Sequence, residues 1–143
     1  MRKGFTLLEL IVVLIIITII AGFAIPSYQK STQKGREREA YLKLLTIHGA
    51  SEIYKAKYGK YYDPVGVVDL SVINPALSLD LSSTDLDFDY LSPAGGQSYD
   101  STAAYSDGGT VIFRIKIKSG TVGGSNPCCD DGTCLFFNPP NPC

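Results

Sequence analysis

From Leu10 to Gln29 the chain carries no charge for 20 residues. The run is long enough to cross a bilayer as a helix, and residues 5–25 are apolar around the whole circumference. Its many Ile and Val would favour a strand in water. Hydrocarbon, however, requires backbone bonded within its own segment, which makes the run a helix. Gly22 and Pro26 are its weak points. Proline lacks a backbone donor and clashes with the preceding turn, so a kink is predicted there. From Tyr28 to about Tyr58 the pattern turns amphipathic. Ala40, Leu44, Ile47, Ala50, Tyr54, Tyr58 and Tyr61 recur at spacings of three and four, one helical stripe, with Arg36, Lys43, Lys55 and Lys57 outside it. Gly35 and Gly49 each weaken a helix by about 1 kcal/mol relative to alanine without having to end it. Gly59 is the expected terminator, with Lys55, Lys57 and Lys60 near the negative end of the helix dipole.

At residue 63 the vocabulary changes. Glu9, Glu37, Glu39 and Glu52 precede it, and every Asp lies from Asp63 onward, among Ser, Gly and Pro that favour turns. Residues 63–84 read as an irregular connection with a short helical turn near Ser71–Ala76. Leu86, Phe88 and Tyr90 alternate with Asp85, Asp87 and Asp89, a strand with one buried face. In Thr110–Lys118, Val111, Phe113, Ile115 and Ile117 point one way and Arg114, Lys116 and Lys118 the other. Thr133–Phe137 is a third strand candidate. A small antiparallel sheet with one apolar face needs a cover, and the Leu44/Ile47/Tyr54 stripe supplies it. The predicted fold class is therefore α+β: one long N-terminal helix, membrane half plus amphipathic half, packed on a small antiparallel sheet.

The chain has 143 residues and a formal charge of −1. Nothing in that balance predicts nucleic-acid binding. The length beyond the apolar run suits one small domain. Arg2 and Lys3 favour a cytoplasmic N-terminus, but Lys30, Lys34, Arg36 and Arg38 compete from the other side. The cysteines decide the orientation. Cys128, Cys129, Cys134 and Cys143 all fall in the last 16 residues, as suits disulfides in an oxidising compartment. Adjacent cysteines rarely bond each other, so Cys128 and Cys129 each pair with Cys134 or Cys143, and both pairings remain open. Either tethers the tail Asn138-Pro-Pro-Asn-Pro-Cys143 and stabilises by about 2–3 kcal/mol per bridge. A four-thiolate zinc site is the alternative, but Cys128-Cys129 lacks the spacing of a zinc knuckle. A cleaved secretory signal is the rival for the first 25 residues. The apolar run is longer than a usual signal core and leads into helical sequence, so the segment reads as retained.

One carboxylate, Glu9, stands at the head of the apolar run, in Gly4-Phe5-Thr6-Leu7-Leu8-Glu9. A carboxylate in hydrocarbon costs several kcal/mol unless protonated or paired, which makes Glu9 a functional candidate. This arrangement resembles the prepilin signal of type IV pilins and type II secretion pseudopilins, strongly over residues 3–29 and in pattern only beyond. The resemblance implies a pilin-like fold with a disulfide-tethered C-terminal tail. It implies that a prepilin peptidase cuts between Gly4 and Phe5, that Phe5 becomes the N-methylated first residue, and that Glu9 is the assembly glutamate. Cleavage would remove Arg2 and Lys3, taking Lys and Arg from 13 to 11 against 14 acidic residues. It would also leave an amine on Phe5 one helical turn from Glu9, and the two are expected to pair between adjacent subunits. The helix is also expected to loosen around Gly22 and Pro26 in a filament.

The resemblance further implies a division into leader 1–4, transmembrane and assembly helix 5–27, and extracytoplasmic head 28–143. The function it implies is that of a structural subunit of a type IV pilus, a homo-oligomeric helical filament of the kind used in adhesion, motility or secretion. The subunit would be single-pass in the inner membrane before assembly and extracellular afterwards. Its partners would be the peptidase, a platform protein and a cytoplasmic ATPase. A type II secretion pseudopilin or a minor pilin is the alternative within the class. A membrane-anchored extracytoplasmic binding domain that never polymerises is the alternative outside it.

No enzyme is expected, since no nucleophile, base or metal constellation appears. No metal and no cofactor are expected either. Asp85, Asp87 and Asp89 lack the later Gly and Glu of an EF-hand and fall on the solvent face of a strand. Asp130-Asp131-Gly132 reads as a turn, with a calcium loop of the pseudopilin kind as the alternative. His48, the single histidine, reads as a partly buried helix residue. Tyr28, Tyr41, Tyr54 and Tyr58 read as packing rather than an electron path. A side chain at Gly4 should block the peptidase. Gly4→Val is expected to leave an uncleaved precursor in the membrane, read by mass and N-terminal residue; a mature N-terminus at Phe5 in that variant contradicts the expectation.

Overall fold

The structure, a computed structural model, describes residues 5–83, 85–136 and 143. Its first element, α1, is a helix over Leu7–Tyr58 that runs through Gly22 and Pro26 without interruption. Gly59 ends it at a positive φ of 78°, the left-handed conformation that closes many helices, and its N–H donates to the Lys55 carbonyl at 2.8 Å. The chain forms two compact units, one ending at Gln33 and the other beginning at Lys34. Within the first, the most apolar stretch of α1 buries none of its residues in the chain.

The second unit packs the remainder of α1 on a four-stranded antiparallel sheet of order β1-β2-β3-β4, comprising β1 Asp87–Leu91, β2 Asp100–Asp107, β3 Thr110–Lys118 and β4 Cys128–Gly132. A short helix, α2 Leu70–Leu77, precedes the sheet, and Asp69 caps it by accepting the Ser71 N–H at 2.9 Å. The period of two sorts the sheet cleanly. In register, Phe88 faces Ala103, Ala103 faces Ile115, and Ile115 faces Cys129. Those side chains meet Ala40, Leu44 and Ile47 of α1 and Ile73 and Leu77 of α2 in one core.

A tyrosine group closes one side of the core. Tyr90 and Tyr99 stack at 5.2 Å between centroids, and Tyr61 meets Tyr99 edge-on at 4.9 Å. The Tyr99 hydroxyl lies 2.5 Å from His48 Nδ1. Burial raises the pKa of both Tyr90 and Tyr99, so each stays a neutral phenol.

Several expectations need correction. The strand expected at Thr133–Phe137 is instead Cys128–Gly132, and it ends before that segment begins, with Phe137 outside the described residues. Asp130-Asp131-Gly132 is accordingly strand rather than turn. Lys116 pairs with Asp130 at 2.9 Å and Arg114 lies 3.9 Å from Asp131 across the ladder, which accounts for both carboxylates. Strand β2 was not anticipated at all. It joins β3 through Gly108-Gly109, both at positive φ, the conformation a two-residue hairpin requires. The helical stripe also drifts from expectation. Its buried members are Glu37, Ala40, Leu44, Ile47 and Ser51, while Tyr58 is exposed.

The described residues that follow β4 are tied back in several ways. Disulfides join Cys128 to Cys143 and Cys129 to Cys134. Just past Cys134, the N–H groups of Leu135 and Phe136 both donate to the carboxylate of Glu37, the former at 2.8 Å. Glu37 is 0 % exposed, and a buried carboxylate is tolerable only when donors of this kind face it. Glu37→Ala strands two N–H groups. It is expected to destabilise the second unit by roughly 2–4 kcal/mol in denaturant unfolding, and Glu37→Gln recovers only part of it, since the amide keeps one acceptor oxygen and turns a donor on the second N–H. An unchanged midpoint for the alanine variant contradicts this account.

Candidate functional site

The candidate site is the start of α1 and the apolar surface that follows. Phe5, the first residue described here, is 78 % exposed. Thr6 stands just before the helix and Glu9 in its first turn. The Thr6 hydroxyl oxygen accepts the Glu9 N–H at 3.3 Å, while the Thr6 N–H and hydroxyl both donate to Glu9 Oε2 at 3.5 Å. This is a capping box. Each residue satisfies a backbone donor that the helix end would otherwise leave bare, and the carboxylate sits at the positive end of the helix dipole. In hydrocarbon or a dry bundle an unsatisfied donor costs far more than in water, so the reciprocal cap suits a helix that begins at a membrane edge.

Sequence reading singled out Glu9 and passed over Thr6. The signal was present, since Thr6-Leu7-Leu8-Glu9 has the spacing of a capping box ahead of an apolar run. The structure therefore gives Glu9 a partner within its own chain. Glu9 and Phe5 lie within about one turn of sequence, whereas Gly4 is outside the described residues.

Beyond Glu9 the surface is uniformly apolar. Ile11, Leu14, Ile15, Ile19, Phe23 and Ile25 are all exposed. Thr18, the polar exception before Pro26, returns its hydroxyl to the Ile15 carbonyl at 2.8 Å and so presents no free donor. A Cβ added at Gly22 would meet nothing, so this glycine is not required by packing within the chain. Among the described residues no group of three or more His, Cys, Asp or Glu is placed to hold a metal ion. Asp85 instead meets Arg36 at 3.4 Å, and Asp87 and Asp89 lie on the exposed face of β1. Among the described residues the arrangement presents one carboxylate, Glu9, followed by apolar surface. It can insert into lipid, and it can pack against other apolar helices.

Residues 1–25 match the family model of the prokaryotic N-terminal methylation motif. Among curated proteins, the chain is similar to type II secretion system core protein G of Klebsiella pneumoniae, 30 % identical over 60 residues, which cover 42 % of this chain and 43 % of that protein. It is similar to the type IV major pilin protein PilE1 of Neisseria gonorrhoeae, 38 % identical over 61 residues, covering 43 % and 37 %. It is also similar to the type IV major pilin protein PilA of Myxococcus xanthus, 34 % identical over 62 residues, covering 43 % and 28 %. The chain thus spans less than half the length of the curated relatives it matches. No solved structure matches it. These findings bear out the resemblance to pilins and pseudopilins drawn from the first residues, and the observed α+β architecture is pilin-like.

Removing the cap should loosen the first turn specifically. Thr6→Ala is expected to cost about 1 kcal/mol locally and to speed amide exchange at Glu9 in detergent micelles by roughly fivefold, with Thr6→Ser close to the parent. Equal exchange in all three proteins contradicts the capping role.

Proposed function

We propose that the chain is a structural subunit of a type IV pilus that polymerises through the apolar start of α1. The observation that carries this reading is the exposed surface of residues 5–25, which the described chain leaves uncovered on every side. In a membrane, lipid solvates it. Outside, burial against other copies is the way to remove it from water, worth roughly 25 cal/mol per Å² of apolar surface. Copies related by a rotation and a rise that do not close form a helical filament.

On this reading residues 1–4 are the leader, 5–27 the transmembrane and assembly helix, and 28–143 the extracytoplasmic head. A prepilin peptidase cuts between Gly4 and Phe5, and Phe5 is N-methylated. Glu9 exchanges its bonds to Thr6 for the Phe5 amine of an adjacent subunit as the subunit leaves the inner membrane. A platform protein and an ATPase drive that step. Relatives named type IV major pilins support the reading, and the cap gives Glu9 a satisfied resting state before assembly. Relatives named core protein G support a second reading, a pseudopilin of a type II secretion system.

The test is electron microscopy of sheared surface material from producing cells. Fibres containing the chain are expected from the parent, and none from Glu9→Ala although that variant still inserts in the membrane. Normal fibres from Glu9→Ala overturn the proposed role of Glu9. Absent parental fibres, together with a secretion defect on deletion, assign the chain to the second reading.

A further inference from the structure

Charge in the second unit is segregated in a way that its internal ion pairs do not use up. Arg36 pairs with Asp85, Lys43 with Glu39, Arg114 with Asp131 and Lys116 with Asp130. Among the described exposed charges outside this set are two rows of like sign: Lys34 and Arg38 on α1, and Asp87 and Asp89 on the outer face of β1. Each set is a short row. Lys34 and Arg38 are four residues apart on a helix, which puts them on one face with a rise of about 6 Å between them. Asp87 and Asp89 are two residues apart on a strand, on one face about 6.7 Å apart. The two rows therefore have nearly the same pitch and opposite sign.

They cannot meet within one chain. Arg36 reaches Asp85 and lies over the Tyr105 ring at 4.2 Å, so that face of α1 is turned to the sheet. Residues two before and two after Arg36 sit roughly 160° around the helix from it, on the side away from the sheet. The same outward face continues to Leu42, which is exposed. The outer face of the sheet is shaped to receive such a row. Beside Asp89 it has a shallow concavity of about 170 Å³, lined by Val67, Leu91, Asp100, Thr102 and Lys116 as well as Asp89. Its apolar side fits the stem of a long cationic side chain, and Asp89 and Asp100 fit its head.

We propose that these faces are the two halves of one contact between copies of this chain. The Lys34–Arg38 row of one copy lies on the Asp87–Asp89 row of the next, with Arg38 seated between Asp89 and Asp100. The contact deepens the proposed function by naming the second surface through which copies recognise each other. It is heterologous, helix to sheet, so each copy keeps one free half, and the interaction propagates rather than closing a two-fold dimer. Its charges add to the proposed Glu9 pairing in fixing register and orientation, which the apolar surface that follows Glu9 leaves open.

The experiment uses the full chain in the membrane. Two differently tagged copies, Arg38→Cys and Asp89→Cys, are produced together and treated with a short bismaleimide. The four native cysteines are bonded to each other, so only the introduced thiols react. A mixed dimer is expected, with little from either variant alone, and Lys34→Cys with Asp87→Cys serves as the second pair. In the Arg38/Asp89 pair, adding Lys34→Glu to one copy or Asp87→Lys to the other should lower the yield roughly tenfold, and adding both should restore it. Failure of both pairs to give a mixed dimer overturns the proposal even if fibres form. A mixed dimer without fibres upholds it while the pilus reading fails. A yield indifferent to the charge reversals overturns the pairing of the two rows. Loss of the mixed dimer together with binding of the Lys34 and Arg38 row to vesicles containing phosphatidylglycerol assigns that row to lipid instead.

Discussion

Residues 5–25 have no cover in the described chain, and much else follows from that single constraint. An apolar cylinder of this length is stable only in lipid or against other apolar surface. Its backbone has to bond internally, which a helix accomplishes everywhere except at its ends. The exposed end begins at Leu7, and there Thr6 and Glu9 supply the missing partners from within the chain. The one carboxylate near the apolar run is thus also the group that finishes the helix. On the proposed reading, assembly competes with this cap for Glu9. Desolvation makes the competition consequential, since a carboxylate leaving one set of donors has to find another.

The second unit solves a different problem, how a small sheet with one apolar face can be closed. The amphipathic part of α1 supplies Ala40, Leu44 and Ile47, α2 adds Ile73 and Leu77, and the tyrosines close one side. Two disulfides and the buried carboxylate of Glu37 tie the described residues that follow β4. Covalent ties are a common resource for small domains whose cores are limited.

How much of this could be read in advance depended on how strongly each segment's side chains reported their surroundings. Strand β3 was legible because Val111, Phe113, Ile115 and Ile117 alternate with charged residues. The long helix was legible from its spacing and from Gly59. Strand β2 was not, because its inward residues include Ser101 and Ala103, whose small side chains leave room for the tyrosines and Phe113 rather than announcing a core. Its hairpin glycines were the missed clue. β4 was misplaced because Asp130 and Asp131 look like turn residues until the cross-strand Lys116 and Arg114 are in view. The role of Glu37 was not legible because nothing local reveals donors from Leu135 and Phe136. At the candidate site the chemistry of Glu9 was legible from its position alone. Its partner Thr6 was legible only to a reading of helix caps.

The central claim is that the apolar start of α1 is required for assembly and that the remainder folds without it. The direct measurement is sedimentation and electron microscopy of a fragment lacking residues 1–27, produced in an oxidising compartment. The account predicts a soluble monomer with both disulfides formed and a cooperative unfolding transition. Fibres of the parental diameter from that fragment would contradict it, because assembly would then reside in the folded unit.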